Sequence, residues 1–584
     1  MNEDTVLAGQ RRIDPFLMSV LKSRMEAIVR EMTLVVLKAS RSAVIKNGRD
    51  FSCALLTYDC KLVSTEDALP IHVMSMEMAI KPILTMFDEI RPGDMFLNNC
   101  PFTGATHHAD MIIAAPIFFE GQPLFWTVAL SHHADVGAPI PSTYLPYAKT
   151  IYEEGVHFPC VRVVENGIER EDILRIGMYK IRAPDMWLGD LRAQMGSCRT
   201  GERRLHELLH RYGKQAVLDF VEEWFEYGTR RMVAEIRKLP AGTYTYETRH
   251  DPVPGVADEG IPVSVTLTVD PEEGMVTVDV RDNPDNVPGG LNLSENTCTS
   301  GCRMGVFNNL PADLPHNHGS VSRIRILMRA GSVVGKPRYP VGTSVATTNV
   351  NDRLITAGNC VFSRMGEPHG QAEGGPHLPI GIGVISGADP FKNGKVYVNQ
   401  VFIGYAGAGA RSGFDGWLTY CGPANGGMIS LDSVEVDESM YPIVIERRGV
   451  EADSQGFGEF EGAPGVGGAF YPLEHEMTVI YAADATEFPA RGVLGGTDAR
   501  PVISRKQLAD GTIVDLPSFH EAKCQDGEKM LFVASGGGGY GDPRRRARSR
   551  VADVVSRGWL SPEKALEVYG VALVRDAATG DYRA

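Results

Sequence analysis

Residues 106–137 read THHADMIIAAPIFFEGQPLFWTVALSHHADVG, and no other stretch constrains the fold as much. Two apolar runs, Met111 to Phe119 and Leu124 to Leu130, flank the turn signal Glu120-Gly121-Gln122, so the segment is expected to form a β-hairpin. Centring the turn on Gly121 sets Asp110 opposite His132, and directly opposed residues have Cβ atoms about 4.5–5.5 Å apart. His107 precedes Asp110 on the approach to the same strand. The HxxD step and the cross-strand histidine make a two-histidine, one-carboxylate set suited to a divalent metal. Each HH pair also carries an aspartate two residues on, His108 to Asp110 and His133 to Asp135, at the same end of the hairpin. Which imidazole of each pair faces an ion stays open here. An HxD step through His108 would resemble the facial triad of iron oxygenases, and paired histidines also cap strands or line polar crevices without any ion.

At 584 residues the chain is too long for one hydrophobic core, and several domains or subdomains are expected. Hydrophobic residues make up 43% and charged residues 22%. With mean hydropathy of -0.12 and no uninterrupted apolar run of about 18 residues, a membrane span is not expected. The opening MNEDTVLAGQRRIDP lacks the basic and apolar blocks of a signal peptide, which points to a cytoplasmic protein. A net charge of -15 opposes a nucleic-acid partner. The ten cysteines have no repeated spacing and are expected to be reduced. Cys298 and Cys302 form a CxxxC without a second pair or histidines at ligand spacing, which reads as structural thiols.

Asp14 as N-cap and Pro15 at the first helical position open a helix whose stripe is Leu17, Leu21, Met25, Ile28, Met32 and Val35. A strand is expected from Phe51 to Tyr58, with Asp50 at its head, then a turn at Asp59-Cys60-Lys61 and a return strand. A helical pattern from Val73 to Glu89 stops at Arg91-Pro92-Gly93-Asp94. From Glu169 to about Lys238 the chain reads as helical, with Thr200-Gly-Glu opening the run RRLHELLHRY and Gly213 ending it. Beyond residue 240 short alternating runs such as Val263 to Val269 predict a β-rich region up to about residue 545. SGGGGYGDP, residues 535–543, has no GK[ST] and reads as a close-packed turn rather than a phosphate cradle. The basic run RRRARSR reads as a solvated or subunit-contact surface, and a short helix starts at Ser561-Pro562 and ends at Gly570. The fold class expected is mixed α+β: an N-terminal metal-site domain over 1–240, a β-rich domain over 241–545 and a C-terminal helical tail over 546–584.

Taken in order, NGRDFSCALL, LPIHVMSM, PGDMFLNNCPFTGATHHAD, LSHHADVG, IYEEGVHFPCVRV, GDLRAQMGSCRTGERRL, NHGSVSRIRI, DSQGFGEFEGAPGVGG, SGGGGYGDP and DVVSRGWLSPEKALEVYGV resemble the hydantoinase B/oxoprolinase family. Its members are metal-site subunits of ATP-dependent hydantoinases, lactamases, oxoprolinases and biotin-independent ketone carboxylases. The resemblance covers nearly the whole chain. It implies metal ligation by Asp50, His107, Asp110 and His132, with zinc, manganese or iron all compatible with the mixed donors. Asn99 departs from the pattern, standing where the family more often has aspartate.

The resemblance further implies an actin-like ATPase subunit of the hydantoinase A type as partner, in a hetero-oligomer such as (αβ)2, with ATP and magnesium on that subunit. The partner would phosphorylate the oxygen of an unreactive amide or enol, and a divalent ion here would acidify water and polarise the activated oxygen. The implied function is the catalytic subunit of an ATP-dependent cyclic-amide hydrolase, of hydantoinase or lactamase type; the alternative is a subunit of an acetone- or acetophenone-type carboxylase. His133 and Asp135 are candidates for a base or for orienting a ligand. Glu154, with Glu153 beside it in the IYEEG loop, is a candidate for substrate contact, and both also suit capping or a surface loop. From other classes, a lone iron oxygenase would require a jelly-roll around the ligands, and a metal-free assembly scaffold would require no site at all.

Overall fold

Asp14 starts the first helix by accepting the Phe16 and Leu17 amides at 2.9 and 3.2 Å, as an N-cap aspartate does. In the computed structural model, which describes residues 13–65, 69–576 and 579–583, that helix runs Pro15–Ala39 and buries Leu21, Met25, Ile28, Val29, Met32 and Val36. Val35, expected on the stripe, is half-buried, and Val36 takes its place inside. The opening MNEDTVLAGQRR, which carries the expectation about a signal peptide, lies outside the described residues. Helix accounts for 31% and strand for 25% of the protein, a mixed α+β composition.

The first sheet has seven strands: β1 (Phe51–Thr57), β2 (Leu62–Thr65), β3 (Met95–Asn98), β4 (Asp110–Phe119), β5 (Gln122–His132), β6 (Val161–Glu165) and β7 (Ile168–Glu169). Their spatial order is β2-β1-β5-β4-β3-β6-β7, and every pairing is antiparallel. The central strands β4 and β5 are buried along almost their whole length. Apolar residues therefore run without alternation, because both faces are covered: the Pro15–Ala39 and Pro184–Tyr212 helices pack on one face, and the Met76–Met86 helix on the other.

The Pro184–Tyr212 helix passes straight through Thr200, correcting the expectation that a helix opens there. Thr200 Oγ1 donates to the Gly196 carbonyl one turn back at 3.0 Å. Gly201 is there for close approach: a Cβ would lie 2.5 Å from Met32 Sδ and 2.6 Å from Thr127 Cγ2. Gly213, at φ +84, does end the helix.

After residue 240 a four-stranded sheet is built from Gly242–His250, Ile261–Asp270, Met275–Asp279 and Ile324–Leu327. A second joins Lys395–Gln400, Val384–Asp389, Met477–Ala482 and Phe519–Cys524, and a third has five strands from Ile443–Val450 to Lys529–Val533. Two helices, Glu295–Phe307 and Val350–Cys360, run through the interior of this β-rich half. They depart from the β-rich expectation: their polar residues, among them Asn296, Ser300, Asp352 and Arg353, are buried as well, so polarity marks no solvent face. They cross so closely that a Cβ on Gly305 would lie 2.7 Å from Gly358 Cα. The largest apolar core extends across the chain, from Val44 and Ile71 to Val493 and Tyr540.

Four glycines, Gly536 to Gly539, thread between backbone segments: a Cβ on Gly537 would meet Ala408 O at 1.9 Å, and on Gly539 Phe457 O at 2.0 Å. Three of the four amides are spent on backbone carbonyls, Gly537 on Ala463, Gly538 on Glu373 and Gly539 on Thr497, so no row of free amides is left to cradle a phosphate. The basic run is not wholly a solvated surface as expected. Arg546 is buried, paired with Asp415 at 2.8 Å and Glu461 at 3.3 Å. All ten cysteines are buried and unpaired.

Glu77 joins the two halves. It lies 3.1 Å from Arg303 and 3.6 Å from His318, and although burial pushes its carboxyl up, His318 and Arg303 outweigh this and bring it down to about 2. Because the folded value lies below the unfolded one, the stabilisation is present above about pH 4.5 and is lost as pH falls toward 2. Glu77→Gln is expected to cost roughly 3 kcal/mol at pH 7, measured by urea denaturation, with the deficit shrinking as pH is lowered through that window.

Candidate metal centre

The hairpin register sets the site. Asp110 pairs with His132 across β4 and β5, as turn-centring on Gly121 predicts, but by a different route. Glu120 and Gly121, at φ +52 and +77, make a two-residue turn of the primed kind that suits hairpin twist. A register shift between Ile117 and Phe118 then restores the pairing expected at the far end. On the other side of β5, Phe51 pairs with Ser131, and the His132 amide donates to the Asp50 carbonyl at 3.0 Å. Asp50, His132 and Asp110 thus stand side by side at one end of three adjacent strands.

His107, Asp110 and His132 present ligand atoms that all lie within 4.8 Å of one another. His107 Nδ1 bonds the Ser344 carbonyl at 2.9 Å, so in the neutral ring its proton sits there and Nε2 carries a lone pair. That lone pair lies 3.2 Å from Asp110 Oδ1, and neither atom has a hydrogen-bond partner among the described residues. Two acceptors held so close out of water repel unless a proton on Nε2 or a metal ion lies against both. His132 turns Nδ1 inward, 3.5 Å from Asp110 Oδ1 and 3.9 Å from Asp50 Oδ2, while its Nε2 meets Thr143 Oγ1 at 3.2 Å. Burial alone would raise the Asp110 carboxyl, but His107 and His72 hold it well below the usual carboxylate range. Asp50 lies outside the tight trio, reaching His132 and His72.

His72 escapes a reading of spacing. It sits on the short Pro70–Val73 helix, its Nδ1 meets Ser52 Oγ at 3.1 Å, and its Nε2 lies 3.7 Å from Asp50 and 3.6 Å from Asp110. A lone histidine among apolar residues resembles a core residue; only its place in the LPIHVMSM stretch marks it. Burial lowers its pKa, against the pull of the two carboxylates. Three imidazoles thus share one design, one nitrogen tied to protein and the other aimed at carboxylates, as histidines around a metal commonly are.

The other candidates fall elsewhere. His133 follows His132 and points to the opposite face, where its Nε2 meets Gln194 Oε1 at 3.0 Å and Gln194 Nε2 donates to the Met111 and Ala129 carbonyls at 2.7 and 2.9 Å. Asp135 accepts the Arg182 guanidinium at 2.9 Å and the Arg182 and Gly137 amides at 2.7 and 3.0 Å, which fastens the loop after β5. Glu153 caps its own turn with Thr150. Glu154 is fully buried, accepts the Thr343 amide and lies 3.8 Å from His108; burial pushes its carboxyl up to about 8. His108 faces Glu154 and His157, not the trio, and neither of its ring nitrogens has a hydrogen-bond partner among the described residues. Asn99 donates to the His108 and Val156 carbonyls at 2.6 and 3.0 Å and accepts the Phe158 amide at 2.6 Å. An aspartate could not make the two donated bonds.

The trio, Asp50 and His72 open into an internal cavity of ≈ 20 Å³ for the centres of water-sized spheres, enough for an ion or a water. Tyr144 forms part of its wall and also part of a ≈ 620 Å³ surface pocket. Its ring stacks on His132 at 5.9 Å, and its hydroxyl bonds Gln400.

The model of hydantoinase B/oxoprolinase proteins matches residues 14–543. The caprolactamase subunit beta of Pseudomonas jessenii is 32% identical over 98% of this chain and 99% of its own. Among solved structures, the ATP-dependent caprolactamase from Pseudomonas jessenii has a TM-score of 0.87 at 29% identity, covering 96% of this chain and 97% of that one. Nucleotide-free acetone carboxylase has a TM-score of 0.85 at 21% identity over 98% and 81%, a likeness of fold. A family match across nearly the whole length and a relative matched end to end lead to one conclusion: the chain belongs to the hydantoinase B/oxoprolinase family.

Proposed function

We propose that this protein is the ring-opening subunit of an ATP-dependent cyclic-amide hydrolase acting on a lactam or hydantoin. The observation that carries the reading is the end-to-end match to a caprolactamase subunit, joined to a buried His107, Asp110 and His132 trio that fits a cation. Asp50 and His72 complete the set that would hold a divalent ion, zinc, manganese or iron. Such an ion supplies Lewis acidity, acidifying water and polarising an oxygen of the substrate. The name of the relative, a subunit beta, supports a partner subunit, and an actin-like ATPase of the hydantoinase A type is proposed for it, in an (αβ)2 assembly. No described helix is long and apolar enough to cross a membrane, which is compatible with a cytoplasmic location.

The division of labour follows from chemistry. An amide carbon is a poor electrophile, and phosphorylation of its oxygen by the partner makes it an activated imidate. This chain then buries the activated carbon away from bulk water, where charges act more strongly. The cavity as it stands has no room for a ring, so Tyr144 must swing aside to join it to the surface pocket. His133, through Gln194, and Asp135, through Arg182, hold the strand and loop that carry His132, a positioning role rather than contact with substrate. Glu154 holds Thr343, whose neighbour Ser344 orients His107.

His107→Ala, Asp110→Asn and His132→Ala are each expected to reduce the metal content of purified protein to under one-tenth of the parent's, measured by elemental analysis. Thr143→Val, which removes the hydrogen bond to His132 Nε2, is expected to weaken metal binding by about 10–100-fold while leaving the site able to load. A triple variant free of metal yet fully active would instead make the protein a scaffold.

With the partner ATPase present, the protein is expected to open a lactam or hydantoin ring in step with ATP cleavage, read by ADP and by the amino acid or N-carbamoyl amino acid formed, without bicarbonate. Turnover that demands bicarbonate and a ketone would replace this reading with the carboxylase one.

A further inference from the structure

One wall of the metal-site cavity carries a second polar assembly that the proposed function does not use. His377, on that wall, is 2% exposed. Its Nδ1 lies 2.9 and 2.8 Å from the two oxygens of Asp352. The same carboxylate accepts the His377 and Ala424 amides at 2.9 and 3.1 Å, so it binds the loop that carries His377 to the loop that carries Asn425. Asn425 reaches His377 Nε2 and lies 3.4 Å from Cys421 Sγ. The imidazole lies against bare backbone at Gly422, where a Cβ would meet Nδ1 at 2.2 Å. Leu378 and Cys421, beside this ring, take φ of +62 and +67, a conformation that non-glycine residues adopt at a cost and that gathers at functional sites.

We propose that His377, oriented by Asp352, is the proton donor that makes the ring nitrogen leave the substrate carbon. This rests on the cyclic-amide reading. When water adds to the phosphorylated amide, the carbon carries a hydroxyl, a phosphate and the ring nitrogen. Loss of phosphate re-forms the amide and wastes the ATP, and phosphate is a far better leaving group than an unprotonated amine. A proton passed from His377 Nε2 to that nitrogen reverses the preference. The C–N bond breaks, its electron pair stays on nitrogen, and an acyl phosphate remains, which a second water cleaves to carboxylate and phosphate. As the C=O of the acyl phosphate forms, the hydroxyl of the adduct gives up its proton, and that proton restores the imidazolium.

The assembly suits a group that gains and loses a proton. With Nδ1–H held by Asp352, Nε2 faces the Asn425 amide, which offers its nitrogen to the neutral ring and, after a half-turn, its oxygen to the charged one. Burial alone would lower the imidazole's pKa, but the Asp352 carboxylate and Cys421 outweigh it and raise it to about 10, so the proton is present at neutral pH.

The test uses the assembled complex with its ATPase partner and measures ATP cleaved per ring opened, together with metal content. His377→Gln is expected to slow the opening of a simple lactam by about 100-fold or more, to raise ATP consumed per ring opened at least tenfold, and to leave metal content unchanged. A hydantoin, whose departing nitrogen is a weaker base, should lose under tenfold. Imidazole added to His377→Ala should restore part of the coupling, and Asp352→Asn should shift the ratio in the same direction to a smaller extent. Equal losses on both rings with an unchanged ATP ratio, or loss of metal with His377, would overturn the role of His377 alone. A wild-type complex that opens neither ring would instead remove the cyclic-amide reading, and this role with it.

Discussion

The pairing of Asp110 with His132 across the β4–β5 hairpin is the constraint on which the rest of the site depends. A strand register shifted by one residue turns every side chain to the opposite face. Here a slip of β5 would carry His132 out of the cavity and bring His133 into it, leaving Asp110 without its partner. The register is protected by the burial of both faces of β4 and β5, since a slip would place polar ends among the helices. Holding a carboxylate out of water beside an imidazole lone pair is costly without a cation, and the fold meets that cost with tied nitrogens: His107 to Ser344, His72 to Ser52 and His132 to Thr143.

The cavity belongs to both halves of the chain. One wall is the end of the first sheet; the other carries His377, Gln400 and Asn425, from segments far along the sequence. The connection is made by backbone rather than by side chains alone. Ser344 accepts from His107, and the helix that carries Asp352 packs against another at the Gly305 and Gly358 crossing. Glycines at 536–539 likewise let four segments meet without side chains between them. Such packing leaves little freedom for the walls to drift, which is what a site working at ångström tolerance requires. Tyr144 is the natural moving part, because it alone stands in the wall of both the cavity and the surface pocket.

Local patterns carried much of this. Asp14 and Pro15 mark a helix start because capping is a matter of adjacent residues, and Gly213 marks an end for the same reason. Asp110 and His132 could be paired from apolar runs and a turn, since a hairpin converts short sequence distance into contact. Spacing left His107 and His108 open, and likeness to a family chose His107, as it also brought in Asp50. The interior helices Glu295–Phe307 and Val350–Cys360 went unexpected because their polar residues are buried along with the apolar ones, so polarity there does not mark a solvent face. Thr200-Gly-Glu misled for a related reason: a glycine needed for close packing against Met32 looks like a helix boundary.

What the chain's order of residues decided, then, is the hairpin, its register and the identity of the residues at its polar end, all consequences of strand alternation and turn chemistry over short distances. Tertiary structure alone decided that His72 joins them, that His133 and Asp135 face away into other bonds, and that His377, held by Asp352, lines the same cavity. Those relations depend on how separate elements pack, and packing between distant segments is set by the summed fit of the whole core rather than by any local pattern.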